Sequence, residues 1–144
     1  MSWTRRFLVV WLVASLWGGV VGTWPVRAEV WQPVQLTVRD RGAGRVTVTA
    51  TWQGVREGNL VLRVAFDTHS VDLSGFDVAS NTVLRDEAGR ELRLLRWQEE
   101  QGSAHHRSGL LVFAAPPAPP GRLLLVVRNL AGVPERVLVF EFRQ

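Results

Sequence analysis

The chain has 144 residues, 47% of them hydrophobic, with 17 basic residues against 13 acidic ones and a formal net charge of +4. Every basic residue is an arginine, which explains the high isoelectric point, and cysteine is absent. The composition therefore excludes a disulfide-stabilised fold and any site that needs a cysteine ligand or nucleophile.

The first 28 residues have the pattern of a secretory signal peptide. An arginine pair at 5–6 precedes an uncharged run at 7–24, and Val26-Arg27-Ala28 resembles a signal peptidase site. We predict a signal helix that is cleaved after Ala28. The uncharged run of 18 residues is close to the roughly 20 that span a bilayer, so an uncleaved anchor is the alternative.

The predicted mature domain, 29–144, is nearly neutral. Loss of Arg5, Arg6 and Arg27 with the leader leaves 14 arginines against 13 acidic residues, so the net charge falls to +1. A balance of this kind gives no basic stripe for a nucleic acid, and we expect no such partner. The 116 residues are enough for one hydrophobic core.

Apolar and polar residues alternate along most of the mature chain. In the stretch 45–52, Val46, Val48, Ala50 and Trp52 share one face, as in a half-buried antiparallel strand. Similar runs predict eight strands, at 34–40, 45–52, 60–66, 82–85, 92–97, 109–114, 122–130 and 136–142. We therefore predict an all-β, immunoglobulin-like antiparallel β-sandwich, without the Cys–Trp–Cys signature of antibody domains.

The connections between strands predict which loops lie together. A turn at 86–89 joins 82–85 and 92–97 as a hairpin, and the proline-rich segment 114–121 is expected to be a rigid link between two sheets. If each strand reverses direction, loops 68–81 and 99–108 emerge at the same end of the sandwich. These two loops contain all three histidines.

The histidines are the main candidates for a site. If they meet, His69, His105 and His106 could bind Zn²⁺ or Cu²⁺, with Asp67 or Asp72 as a carboxylate partner. Cu⁺ is disfavoured because the mature domain has no sulfur ligand. The alternative is structural: His69 and one of the pair would hydrogen-bond to backbone groups and hold the two loops together.

The sequence also contains residues for two other kinds of site, a hydrolytic triad and a sugar-binding surface. A hydrolytic triad would combine Ser70 or Ser108 with one of these histidines and an aspartate, but no serine follows the strand-to-helix pattern of a nucleophile elbow. These Asp and Ser residues are better explained as turn formers. Trp31, Trp52 and Trp97 could stack on a sugar ring if they were exposed together. Trp52, however, lies on the apolar face of its strand and is expected in the core.

Several motifs resemble a family of small exported bacterial and archaeal domains that has no established activity. The resemblance covers about residues 45–142 and rests on Asp67-Thr68-His69-Ser70-Val71-Asp72-Leu73, Val83-Leu84-Arg85-Asp86, Trp97, His105-His106-Arg107-Ser108-Gly109, Arg128-Asn129-Leu130 and Val133-Pro134-Glu135-Arg136-Val137. It implies an exported β-sandwich.

The sequence as a whole favours an exported binding or interaction module over an enzyme. The partner would be a protein or a small ligand, and the membrane would be contacted through the leader if that segment is retained. The alternative function is a periplasmic metal-binding protein that uses His69, His105 and His106.

Overall fold

The computed structural model describes residues 31–143. The predicted leader, 1–28, and its cleavage site lie outside the described residues. The described chain forms two antiparallel sheets that pack face to face, which confirms the predicted β-sandwich.

Nine strands make up the described part of the chain, one more than predicted. They are β1 (Thr37–Asp40), β2 (Val46–Arg56), β3 (Asn59–Thr68), β4 (Thr82–Asp86), β5 (Glu91–Leu92), β6 (Leu94–Gly102), β7 (His106–Ala114), β8 (Arg122–Leu130) and β9 (Val133–Glu141). One sheet has the order β1-β2-β3-β7-β6 and the other β5-β4-β8-β9. A short 3₁₀ helix, Ala43–Arg45, connects β1 to β2.

The two-residue periodicity of the sequence decides which side chains enter the core. Along β2 and β3, alternate residues are buried and the residues between them face solvent. Each fully buried aliphatic or aromatic side chain contributes roughly 1.5–3 kcal/mol relative to its exposed state. The largest of them, fully buried between the sheets, are Phe66, Phe113, Phe140, Leu60, Leu62, Leu73, Leu84, Leu111, Leu123, Leu125, Leu130 and Leu138.

The prediction of a single strand at 92–97 that pairs with 82–85 is wrong for every residue after Leu92. Only β5 pairs with β4, through Leu92 and Glu91, whereas β6 pairs with β7 in the other sheet. Two adjacent leucines, Leu94 and Leu95, break the alternation, and the register shifts between Leu94 and Arg96. The chain changes sheets at Arg93, between β5 and β6, and the register shift follows within β6.

The predicted strand at 34–40 is also too long. The strand begins at Thr37 because the residues before it cross from one sheet to the other. The Val34 amide donates to the Glu141 carbonyl at 2.7 Å, and the Leu36 carbonyl accepts from Trp52 at 2.7 Å. Val34 is thus hydrogen-bonded to the four-stranded sheet and Leu36 to the five-stranded sheet.

The connections between the strands lie at two opposite ends of the sandwich. One end, which we call the tip, consists of four mutually adjacent connections: 41–45, 69–81, 103–105 and 131–132. The other end, the base, holds the turns at 57–58 and 87–90 and both limits of the described chain. There Pro33 pairs with Phe142, the Phe142 amide donates to Gly121, and the Arg122 amide donates to Glu87.

The proline-rich segment is confirmed as a link between sheets. Residues 115–121 connect β7 of the five-stranded sheet to β8 of the four-stranded sheet, at the base. The Ala115 amide donates to the Gly58 carbonyl at 2.8 Å, which ties the start of the link to the turn between β2 and β3.

A buried ion pair fastens the two sheets together near the tip. Arg136, on β9, has a side chain that is only 1% exposed, and its Nε lies 2.7 Å from the Asp40 carboxylate on β1. A second nitrogen of the same guanidinium donates to the Val46 carbonyl at 2.6 Å. The hydrogen bond from Arg136, helped by the Gly42 amide, lowers the pKa of Asp40 below its usual value.

Candidate functional site

The two histidine-bearing segments lie together at the tip, as the strand directions predicted. The Thr68 amide donates to the His105 carbonyl at 3.0 Å, and the Leu73 amide donates to the Ala104 carbonyl at 2.7 Å. The predicted loop at 99–108 is, however, much shorter than expected. Because β6 runs to Gly102 and β7 begins at His106, only 103–105 connect them.

His105 links the two segments through its ring. Its Nδ1 lies 3.1 Å from the Val71 carbonyl oxygen. A carbonyl oxygen only accepts hydrogen bonds, so Nδ1 is the donor and the neutral ring has its proton on that nitrogen. This contact is the backbone bridge that the structural interpretation predicted for one histidine of the pair.

His106 lies on a strand and pairs with an acidic side chain. Its Nδ1 is 3.0 Å from Asp67 Oδ1, and the residues face each other across the β3–β7 ladder. Both side chains are at least half exposed, so the pair contributes little to stability. The carboxylate fixes the proton of the neutral ring on Nδ1 and leaves Nε2 as an acceptor.

His69 does not join the other two histidines in a ligand group. It is exposed at the start of the 69–81 segment, and within residues 31–143 no three His, Asp or Glu side chains are grouped so that they could hold a metal ion. The segments that carry the histidines contact each other at the tip, but the three imidazoles do not form a set of metal ligands.

Asp72 forms a turn, as predicted, and Asp77 does the same, whereas Ser108, which was also predicted as a turn former, lies within β7. Asp72 accepts hydrogen bonds from the amide and hydroxyl of Ser74, and Asp77 accepts in the same way from Ser80. The Ser74 hydroxyl and amide lower the pKa of Asp72, and the Ser80 groups do the same for Asp77. Asp72 is therefore committed to the loop, and Asp67 is the carboxylate that pairs with a histidine.

Arg107 is a central residue of the tip that the sequence interpretation did not identify. Its side chain is 11% exposed and lies 2.6 Å from a Glu99 carboxylate oxygen. The same guanidinium donates to the backbone carbonyls of Leu73 and Phe76. Arg107 thereby holds the 69–81 segment against β6 and β7.

Gly109 makes room for a tryptophan. A Cβ at this position would collide with the Gln98 carbonyl oxygen and would lie 2.7 Å from the Trp97 ring. The ring packs against the core from β6, next to β7. The glycine of the His-His-Arg-Ser-Gly motif is thus a packing requirement.

Small side chains form a depression on the outer face of the five-stranded sheet. Thr49, Ala65, Ser108 and Gln101 are register neighbours on β2, β3, β7 and β6. They are the floor of a cleft of about 270 Å³, which we call the outer cleft. Longer side chains border it: Arg63 on the side of the base, and Asp67 with His106 on the side of the tip.

Ser108 is the unusual residue of this cleft. It is 7% exposed, and its hydroxyl has no hydrogen-bond partner within the described residues. A buried hydroxyl without a partner costs roughly 1–3 kcal/mol relative to one that is satisfied. The hydroxyl is also not bonded to His106, so these residues do not form a serine–histidine pair.

Most residues of the outer cleft were not predicted. The alternation along 45–52 places threonines outward, but nothing local indicates that Thr49 lies beside Ala65 and Ser108. That neighbourhood depends on the pairing of strands distant in sequence. Arg63, which lies 3.0 Å from Glu100 at an exposed site, was missed for the same reason.

A larger cleft of about 520 Å³ lies at the base, beside Trp31 and Phe142. Trp52 closes the core above it and donates from its ring nitrogen to the Trp31 carbonyl at 3.0 Å. This confirms the prediction that Trp52 is a core residue.

Comparisons with known protein families, curated proteins and solved structures gave no match. Residues 31–143 include no helix long and apolar enough to cross a bilayer.

Proposed function

We propose that the protein is an exported, non-catalytic binding module and that the outer cleft is its binding surface. The observation that carries this proposal is the position of the cleft. It lies in the half of the sheet nearest the tip, whereas both limits of the described chain lie at the base. A domain held at its base, by a leader or by a neighbour, presents the outer cleft to its surroundings.

The strand order supports an immunoglobulin-like architecture. If β2 is strand A, the two sheets have the orders A-B-E-D and C′-C-F-G of that fold, and β1 is an additional edge strand. On this assignment, the tip contains the B–C, D–E and F–G loops. Loops at one end of such a sandwich are a common location for binding residues, because a rigid scaffold positions them.

Export is proposed from the leader pattern in residues 1–28. Mass spectrometry of the protein recovered from the periplasm or the medium tests it. A chain that begins at Glu29 is the expected product, whereas the full-length chain in the membrane fraction supports a retained anchor. A chain found only in the cytoplasm contradicts the proposal.

Binding is favoured over catalysis because the cleft lacks the geometry of a nucleophilic site. The Ser108 hydroxyl is not hydrogen-bonded to the imidazole that would have to activate it. The other candidate nucleophile, Ser70, is exposed in the 69–81 segment, where its amide donates to the Thr68 hydroxyl. Asp67 and His106 are instead arranged as an exposed hydrogen-bonding pair.

Site-specific photo-cross-linking in the producing cells tests the binding function. A photoreactive amino acid replaces Thr51 in the cleft or, as a control, Ala118 in the exposed link at the base. Irradiation is expected to give a product of increased mass for position 51 and none for position 118. No product at position 51, or equal products at both positions, contradicts the proposed function.

A further inference from the structure

We infer that the outer cleft takes a neutral, hydroxyl-rich ligand, a saccharide. This inference rests on the binding function proposed above and names the chemical class of the ligand. It starts from the composition of the lining, in which two arginines, Arg63 and Arg107, one acidic side chain, Asp67, and one imidazole, His106, surround hydroxyl and amide groups.

The charges of the cleft disfavour ionic ligands. Arg63 and Asp67 are four residues apart on β3, so their Cα atoms are roughly 13 Å apart along the strand. A cation attracted to Asp67 meets the Arg63 guanidinium in the same cleft, and an anion attracted to Arg63 meets the Asp67 carboxylate. Both arginines already have a carboxylate partner, Arg63 in Glu100 at 3.0 Å and Arg107 in Glu99 at 2.6 Å. Asp67 accepts a hydrogen bond from the His106 ring.

The donors and acceptors match hydroxyl groups, each of which both donates and accepts. His106 offers Nε2 as an acceptor because Nδ1 is used by Asp67. Asp67 offers its second oxygen as an acceptor, and Arg63 and Gln101 offer donors. Apart from Ala65 the lining has no aliphatic side chain, which favours a polar ligand over an apolar one.

The Ser108 hydroxyl is the observation that points to a missing partner. It is buried, it lies on the floor of the cleft, and it is unsatisfied within the described residues. An alanine would fill the same space without that unfavourable group. The serine oxygen is covered in this structure, and rotation about its χ1 angle would turn it toward a ligand hydroxyl on the floor. The cleft volume of about 270 Å³ is just below the usual range for small-molecule sites and restricts the ligand to a small one.

Amide NMR titrations of the exported protein test the inference. The neutral probes are glucose, galactose, mannose and N-acetylglucosamine, together with disaccharides of each; inorganic phosphate and putrescine are the charged probes. We expect neutral sugars to shift the amides of Thr49, Ala65 and Ser108, and the charged probes to leave them unchanged. Tighter binding of disaccharides than of monosaccharides would identify a polysaccharide rather than a free sugar as the source.

Ser108→Ala is the decisive variant, with Ser70→Ala in the exposed tip segment as its control. Ser108→Ala is expected to be at least as stable as the parent protein and to bind sugar about five- to ten-fold more weakly, the loss of one hydrogen bond. A hydroxyl with only a structural role would change stability and not affinity. Asp67→Asn, on the exposed side of the cleft, is a second variant with the same expected loss of affinity.

The inference is overturned if the charged probes shift the cleft and the neutral sugars do not, if no probe shifts it, or if Ser108→Ala binds sugar as tightly as the parent protein. Cross-linking at position 51 combined with failure of every sugar would leave the binding function standing and reject the saccharide. Absence of cross-linking rejects the binding function itself.

Discussion

At the scale of single residues, Gly109 connects a sequence motif to the packing of a tryptophan. We predict that Gly109→Ala destabilises the fold by about 1–3 kcal/mol, because the new methyl group collides with the Gln98 carbonyl and the Trp97 ring. The free energy of unfolding in urea measures this. Gly75→Ala is the control, since a Cβ there meets no atom within 4 Å; equal stability of the two variants would refute the packing role.

The two neighbouring histidines lead to a prediction about proton positions. Both His105 and His106 use Nδ1 toward an oxygen that only accepts, in Val71 and Asp67 respectively. Long-range ¹H–¹⁵N NMR spectra of the neutral rings are therefore expected to show the proton on Nδ1 in both. Asp67→Asn keeps the shape of the side chain but offers an amide, which can donate as well as accept. The preference for a proton on Nδ1 should therefore weaken at His106 and persist at His105. A proton on Nε2 in the parent protein would show that these contacts are absent.

At the scale of elements, the tip depends on one buried guanidinium. We predict that Arg107→Met destabilises the protein by about 2–3 kcal/mol, because two backbone carbonyls and the Glu99 carboxylate lose a charged donor. Hydrogen exchange of the Leu73 amide should accelerate more than that of amides in β8. Arg122→Met, at an exposed site of the base, is the control and should stay within about 0.5 kcal/mol of the parent. Equal effects of both substitutions would contradict the role given to Arg107.

The ion pair between β1 and β9 predicts an acid-sensitive connection between the sheets. The pKa of Asp40 is lowered in the folded state, so its contribution to stability is complete above the unfolded value of about 3.9 and is lost as the pH falls through the folded pKa. Asp40→Asn should therefore cost about 2–3 kcal/mol near neutral pH, because the buried Arg136 loses its counter-ion.

The difference in unfolding free energy between Asp40→Asn and the parent protein should shrink as the pH is lowered toward about 3. Glu57→Gln, in the exposed turn between β2 and β3, is the control and should show no such convergence. A difference that stays constant with pH, or that grows in acid, would contradict the ionic origin of the connection.

The elements also show where prediction from sequence stops. Alternation identified β2 and β3, whose inner residues are apolar except for Thr68 and whose outer residues are mostly polar. It failed across 92–95, where the chain passes at Arg93 from one sheet to the other and three of the four side chains are apolar. Local patterning reports which face of a strand is buried, but not which sheet the strand enters.

At the scale of the whole molecule, the directions of the strands predicted which loops lie together, whereas the motifs did not predict which side chains meet. The reversal of successive strands correctly brought loops 68–81 and 99–108 to one end. Distances between individual side chains depend on register, however, and the register put His106 beside Asp67 and not beside His69. The outer cleft has four strands in its floor, and their adjacency arises from long-range pairing that no local pattern contains.

The central claim is that this cleft, near the tip and far from both limits of the described chain, is the surface that binds. The most direct measurement is mapping of amide NMR shifts on the exported protein when the soluble envelope fraction of the producing cells is added. The account predicts shifts on β2, β3 and β7 around Thr49, Ala65 and Ser108, with β9 and the base unchanged. Shifts confined to the base or to the four-stranded sheet, or none at all, would contradict it.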